Sequence, residues 1–237
     1  MADGGKPKTD KTDGPTKHYH GHRERVRQRI MKGDGSHLDD YEVLEVLLCA
    51  FIPRVDVRPI AKTLVDRFGT VSAALAASPE RLMEIDGIGE ATAAYIRATN
   101  LLLLRAAGDE VRDRPVISNW AALLNYVKHA LRHEKTEQAR VLYLDRKNQI
   151  IADEAQAGTV DQTAVFPREL VRRALELSAS AMILVHNHPS GDPSPSQADI
   201  AITREIVAAA RTMNIAVHDH LIIGRHGERS FKTMGLL

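Results

Sequence analysis

The sequence predicts an α/β protein of mixed α+β type, a small all-helical domain followed by a β-sheet domain flanked by helices. Three observations carry this. From about residue 21 to 107 the readable apolar patterns all have helical spacing. Then "GDEVRDRP", a charged stretch bounded by glycine and proline, interrupts them between 108 and 115. Beyond it, runs of strand length ("RVLYLD", "IIADE", "AMILV") alternate with helical segments. The expected organisation is a disordered tail at 1–20, a helical domain at 21–107 and a mixed domain at 108–237.

The elements follow in order. Residues 1–17 are mostly Lys, Asp, Gly, Pro and Thr and offer a core almost nothing, so order is expected to begin near His22. "DDYEVLEVLLCAF" places Leu44, Leu47, Leu48 and Phe51 on one helical face until Pro53 stops it. "DVRPIAKTLVDRFG" predicts a helix capped by Asp56, apolar at Ile60, Ala61, Leu64 and Phe68, and ended by Gly69. Two more helical segments, "SPERLMEIDGIG" and "EATAAYIRATNLLLLRAA", complete a small bundle.

In the second half, Ser118 is expected to cap a helix with Trp120, Leu123, Leu124, Val127 and Leu131 at helical spacing. "RVLYLD" and "IIADE" around "RKNQ" read as a hairpin, and Pro167 opens the helix "PRELVRRALELS" where a missing N–H costs least. "AMILV" is continuous in apolar character, the mark of a buried central strand, and leads directly into His186. The helix "QADIAITREIVAAARTM", apolar at Ile202, Ile206, Ala209, Ala210 and Met213, precedes a second hairpin of "IAVHDHLIIG" and "SFK" turning through "RHGER".

Composition narrows the function. The 237 residues are 43% hydrophobic, enough for one large core or two modest ones, and a formal charge of +1 favours no partner by bulk electrostatics. Cys49 is the single cysteine, which excludes a disulfide within the chain and a thiolate-rich zinc site. The first residues lack the apolar core of a secretory signal, and no apolar run approaches the roughly 18 residues of a membrane span. A soluble protein of the reducing cytoplasm, without a membrane partner, is expected; the sequence assigns no oligomeric state.

The chemistry concentrates in "HNHPSGDPSPSQAD", residues 186–199. Alternate strand residues project from one face, so His186 and His188 point the same way if the strand continues through them. Ser196 stands where a helix N-cap belongs, and Asp199 falls in the first helical turn, facing back across the loop. Two imidazole nitrogens and one carboxylate leave a tetrahedral zinc one ligand short, and a water in that position has its pKa lowered to about 7. Ser196 and Asp199 also fit a capping box, in which the carboxylate binds backbone N–H.

This stretch, H-x-H, seven residues and S-x-x-D, resembles the JAMM motif of the MPN or JAB metalloprotease fold in the variant carried by RadC proteins. "GHRERVRQRI", "RPIAKTLVDRFGT", "IDGIGEATAA", "VLYLD", "FPRELVRRALEL" and "DHLIIG" are similar to the same family, so the likeness runs from about residue 21 to the C-terminus. It implies a cytidine-deaminase-like sheet domain in which His186, His188 and Asp199 bind Zn2+. It also implies that Ser196 hydrogen bonds near the reacting oxygen and that a peptide or isopeptide bond of a peptide or protein substrate is hydrolysed. The family takes its general base from a glutamate near the start of the fold, and Glu137 is the positional match. This chain has Ala139 where a bulky aromatic is expected, which leaves the register open, and Glu154 and Glu169 are rivals. Asp219 and His220 suit fixing a turn or supporting a ligand better than adding one.

A second reading comes from "LMEIDGIGEATAA", which resembles a helix-hairpin-helix element. Gly87, Ile88 and Gly89 there would bring backbone N–H groups to a DNA phosphate, giving weak DNA binding with the basic stretch "RERVRQRIMK" assisting. The chain would then be a repair or recombination accessory protein with a structural or DNA-directed metal site. Asp86 and Glu90 flank the turn and repel phosphate, which favours a packing turn between two helices. The histidines of "KHYHGH", His18, His20 and His22, are a weaker metal pattern.

Overall fold

The computed structural model describes residues 18–33, 35–53, 55–112, 115–157 and 166–237, with backbone alone at 18–20, 156 and 157. Of the tail expected at 1–20, residues 1–17 lie outside the described residues and the backbone of 18–20 is already helical; the pattern of His18 and His20 lies outside the described side chains. The chain divides into two compact units, 1–97 and 98–237.

The first unit consists of helices, as the periodicities predict. These are α1 (His18–Lys32), α2 (Asp40–Phe51), α3 (Arg58–Phe68), α4 (Val71–Ala76), α5 (Pro79–Met83) and the beginning of α6 (Glu90–Arg112). Leu44, Leu48, Ile60, Ala61, Leu64, Leu82 and Ile96 form its core. α3 ends at Gly69, whose φ of 80° is the left-handed conformation that a side chain resists. At its start Val57 takes the cap position; Asp56, one residue earlier, accepts the N–H of Arg58 at 3.1 Å. Helix α4 was not expected. Its six residues are too few to show a period, and it is nucleated by Thr70, whose hydroxyl accepts the N–H of Ala73 at 3.1 Å.

The turn between α5 and α6 packs inward. Gly87 has φ 89°, a Cβ there would lie 2.6 Å from Ile60 Cδ1, and Ile88 is buried. From this turn α6 continues to Arg112, through residue 108, where a boundary was expected; the division between units falls at 97/98.

The second unit is a three-layer α/β/α arrangement. After a 3₁₀ turn (Val116–Asn119) come α7 (Trp120–Leu131), β1 (Gln138–Leu144), β2 (Ile150–Ala157), α8 (Pro167–Glu176), β3 (Ala181–Asn187), α9 (Gln197–Thr212), β4 (Ala216–Gly224) and β5 (Gly227–Ser230). The sheet order is β2-β1-β3-β4-β5, antiparallel throughout except for the β3–β4 pair, which α9 connects. β3, the continuous apolar run, is the central strand and is buried along its whole length. Ala181, Ile183 and Val185 face α7 together with Leu142, Leu144, Leu221 and Ile223. Met182 and Leu184 face α8 and α9 together with Val141, Tyr143, Leu170 and Ile206.

Three expectations are corrected. Ser118 does not cap α7: it lies within the 3₁₀ turn and its hydroxyl donates to Pro115 O at 2.8 Å, so the turn that precedes the helix uses it first. Met213 is 52% exposed, because the chain leaves the helix at Thr212 and the apolar face ends with it. The last strand is Gly227–Ser230, earlier than "SFK", and Phe231 is buried just beyond it.

Candidate metal centre

His186 is the penultimate residue of β3 and is 4% exposed; His188 lies just past the strand end and is half-buried. The alternation that sends Met182 and Leu184 toward α9 sends both imidazoles the same way, and their Nε2 atoms are 3.0 Å apart. Asp199, third residue of α9, brings Oδ1 to 3.4 Å from His186 Nε2 and Oδ2 to 3.5 Å from His188 Nε2. The three ligand atoms all lie within 4.8 Å of one another. A tetrahedron with zinc–ligand arms of about 2.0–2.1 Å has edges of about 3.3 Å, so this spacing fits a four-coordinate zinc with little adjustment.

The capping box and the ligand set coexist. Ser196 Oγ accepts the N–H of Asp199 at 3.1 Å, and both the N–H and the hydroxyl of Ser196 donate to Asp199 Oδ2 at 2.7 Å. A carboxylate has about four lone-pair sites, enough for a cap and a cation at once. Ser196 itself is exposed at the rim.

Electrostatics follow from burial and pairing. Burial pushes His186 down to about 4, with Asp199 partly opposing it. His188 is raised, first by its hydrogen bond to Asp199; its Nδ1 is 2.8 Å from Asp192 O, and the Glu137 charge contributes as well. Burial alone would raise the Asp199 carboxyl, but hydrogen bonds from His188 and Ser196 and the neighbouring His186 together hold it well below the usual carboxylate range. The site therefore offers a carboxylate and a buried neutral imidazole, the forms a cation requires.

Glu137 immediately precedes β1. Ala139 pairs with His186 across the sheet, and Glu137, two residues earlier on the same alternation, lines a cavity of about 60 Å³ with Ala139, His186, Asp199 and His220. The rival glutamates are engaged elsewhere, Glu154 with Arg173 at 2.8 Å and Glu169 with Arg172 at 3.0 Å.

Sequence reasoning missed two supporting residues. Asn187 points to the α7 side of β3, opposite the histidines. Its Oδ1 accepts the N–H of Gln138 at 2.9 Å and its Nδ2 donates to Thr136 O at 3.1 Å, which fastens the segment carrying Glu137 to the strand carrying the ligands. Its only sequence signal was a polar residue between two histidines, bound by alternation for a buried face. Thr203, one helical turn after Asp199, is fully buried beside His220. Asp219 and His220 have different tasks. Asp219 accepts from Ser230 Oγ at 2.6 Å and from the N–H of Lys232 at 3.0 Å, fixing the chain after β5. His220 Nε2 is 2.8 Å from His186 Nδ1.

The loop between the histidines and α9 is set by close backbone approach. Gly191 has φ 96°, and a Cβ on Gly224 at the end of β4 would lie 2.4 Å from Gly191 O. Arg225 donates to Ser190 O at 3.0 Å from the same side.

A mixed sheet covered on both faces, with a histidine pair at the end of its central strand and an aspartate on the following helix, is the architecture of a JAB domain. The RadC-like JAB domain family matches residues 117–236, and the UPF0758 N-terminal family matches residues 19–94. A UPF0758 protein of Rhodobacter capsulatus is 53% identical over 213 residues, which is 90% of this chain and 100% of that protein. The chain belongs to the RadC family. No helix among the described residues is long and apolar enough to cross a membrane.

Proposed function

We propose that the chain is a zinc-dependent hydrolase of the JAMM type that cleaves peptide or isopeptide bonds of a peptide or protein substrate. One observation carries this reading: two imidazole nitrogens and a carboxylate converge at tetrahedral-edge distances on the end of a buried strand, beside a cavity lined by a second carboxylate, Glu137. His186, His188 and Asp199 would hold the zinc, which when bound supplies a Lewis acid for a carbonyl and an acidified water. The Glu137 carboxylate accepts the proton of the attacking water and returns it to the leaving nitrogen, a role usually worth about 100-fold or more in rate. Ser196 Oγ, at the rim, would turn its hydroxyl proton from Asp199 Oδ2 to the carbonyl oxygen as charge develops there.

The DNA reading has less support. The positive φ of Gly87 serves packing against Ile60, and the flanking Asp86 and Glu90 oppose phosphate.

The test is zinc stoichiometry by calorimetry, with hydrolysis followed on peptide and isopeptide reporters. Asp199→Asn is expected to weaken zinc binding and abolish hydrolysis. Glu137→Gln is expected to keep zinc and lose about 100-fold or more in rate. Wild-type zinc affinity in Asp199→Asn would overturn the ligand assignment.

A further inference from the structure

The hydrogen bonds behind the ligands have a direction. Thr203 Oγ1 is 2.5 Å from the main-chain oxygen of Asp199. A carbonyl cannot donate, so the hydroxyl proton lies between these two oxygens. With its one proton committed, Thr203 Oγ1 can only accept at its second contact, 2.7 Å from His220 Nδ1, and that nitrogen therefore carries the hydrogen. The His220 ring is buried against Thr203 Oγ1, the His186 ring and the face of Phe231, with no carboxylate among these ring contacts to balance a charge, so the ring is neutral. A neutral ring has one proton, so Nε2 is bare and accepts from His186 Nδ1 at 2.8 Å. His186 in turn has its proton on Nδ1 and its lone pair on Nε2, the atom that faces His188 and Asp199.

We infer that His220, with Thr203 behind it, is a positioning pair that selects the tautomer and the orientation of His186 for binding a cation through Nε2. This rests on the reading of His186, His188 and Asp199 as zinc ligands. Were the threonine proton turned toward His220, every bond in the row would reverse, and a proton on His186 Nε2 would fill the place of the ion. The position of His220 is overdetermined. Its ring stacks on Phe231 with centroids 4.7 Å apart, and its main-chain N–H donates to Asp219 Oδ1 at 2.7 Å. The row also begins at the backbone of one ligand residue, Asp199, and ends at the ring of another, so a shift of α9 against β4 is felt at both.

His188 is treated differently. Its Nδ1 donates to the Asp192 carbonyl within its own loop, so its tautomer is set by about one turn of chain. His186, inside the sheet, has no loop carbonyl to use and takes its acceptor from the neighbouring strand.

The experiment uses the full chain, with zinc as the probe. Nitrogen-15 spectra of the metal-free wild type should show the His186 ring protonated on Nδ1. Zinc affinity is then measured by competition with a chromophoric chelator. His220→Phe keeps the stack on Phe231 and removes both nitrogens; a loss of about 10–100-fold is expected, the usual effect of removing a partner behind a ligand histidine. In His220→Gln the side-chain oxygen accepts where Nε2 did and the amide donates to Thr203, so most of the affinity should return. Thr203→Val, similar in volume, should mix the His186 tautomers. If His220→Phe does not fold, the His220→Gln and Thr203→Val comparisons still decide the matter. Wild-type affinity in a folded His220→Phe, or a wild-type His186 protonated on Nε2, overturns the inference. A wild type that binds no zinc overturns the ligand reading instead, while the nitrogen spectra report on the hydrogen-bond row by themselves.

Discussion

Asp199 shows how much one side chain carries at this site. It caps α9 through Ser196 and faces both histidines, and neither task displaces the other because a carboxylate accepts in several directions. The two histidines diverge under acid. His186, buried and pushed down to about 4 against an ordinary 6.5, stays neutral in the folded state and takes a proton when the chain unfolds. A folded pKa below the unfolded one gives stability that is present above pH 6.5 and is lost as pH falls toward 4, on the order of 3 kcal/mol when complete. Unfolding of metal-free protein by urea over this range should show that slope, and His186→Gln should flatten it. His188, raised through Asp199, gains its proton at higher pH than a free imidazole, so zinc affinity should begin to fall as pH drops through neutrality. Affinity independent of pH there would contradict the pairing. The candidate trio was legible because the strand alternation and the cap position place His186, His188 and Asp199 within a single loop closure. Glu137 was legible only as one of three glutamates, because its face depends on pairing with a strand nearly fifty residues away.

At the level of elements, the site depends on how strand ends are fastened. Asn187 holds the approach to β1, and the Gly191–Gly224 contact holds the loop before α9. Asn187→Ala removes the tie on the half-buried N–H of Gln138, a cost of about 1 kcal/mol. It should lower the hydrolytic rate more than zinc affinity, since it frees Glu137 and spares the ligands. Gly224→Ala puts a methyl group 2.4 Å from Gly191 O and should do the reverse, weakening zinc first. Rate and affinity measured side by side on the two variants separate these effects; identical losses would deny the division of labour. Long helices and the apolar strands could be read from periodicity, whereas α4 is too short to show one and Ser118 was claimed by a turn before the helix it was expected to cap.

Over the whole second unit, the candidate ligands come from the end of β3 and the start of α9, and His220 adds β4, so zinc would tie the middle of the sheet to the layer above it. An ion that binds only the folded state stabilises it by about 2.7 kcal/mol at a hundredfold excess over Kd. Thermal unfolding followed with and without a chelator should therefore show a higher midpoint with zinc, and Asp199→Asn should remove the difference. An unchanged midpoint in the wild type would argue that the three residues hold no ion in the native state.

Local pattern alone determined the helical first half, the apolar central strand, the turn glycine at Gly69 and the spacing of His186, His188, Ser196 and Asp199, because each depends on residues within a few turns of one another. Only the tertiary structure decided that α6 runs on to Arg112, that Glu137 shares a cavity with the histidines, and that Asn187, Thr203 and His220 stand behind them. These depend on strand register and on hydrogen bonds across 17 to 49 residues of chain, and a hydrogen-bond partner that distant leaves no periodic trace in a sequence.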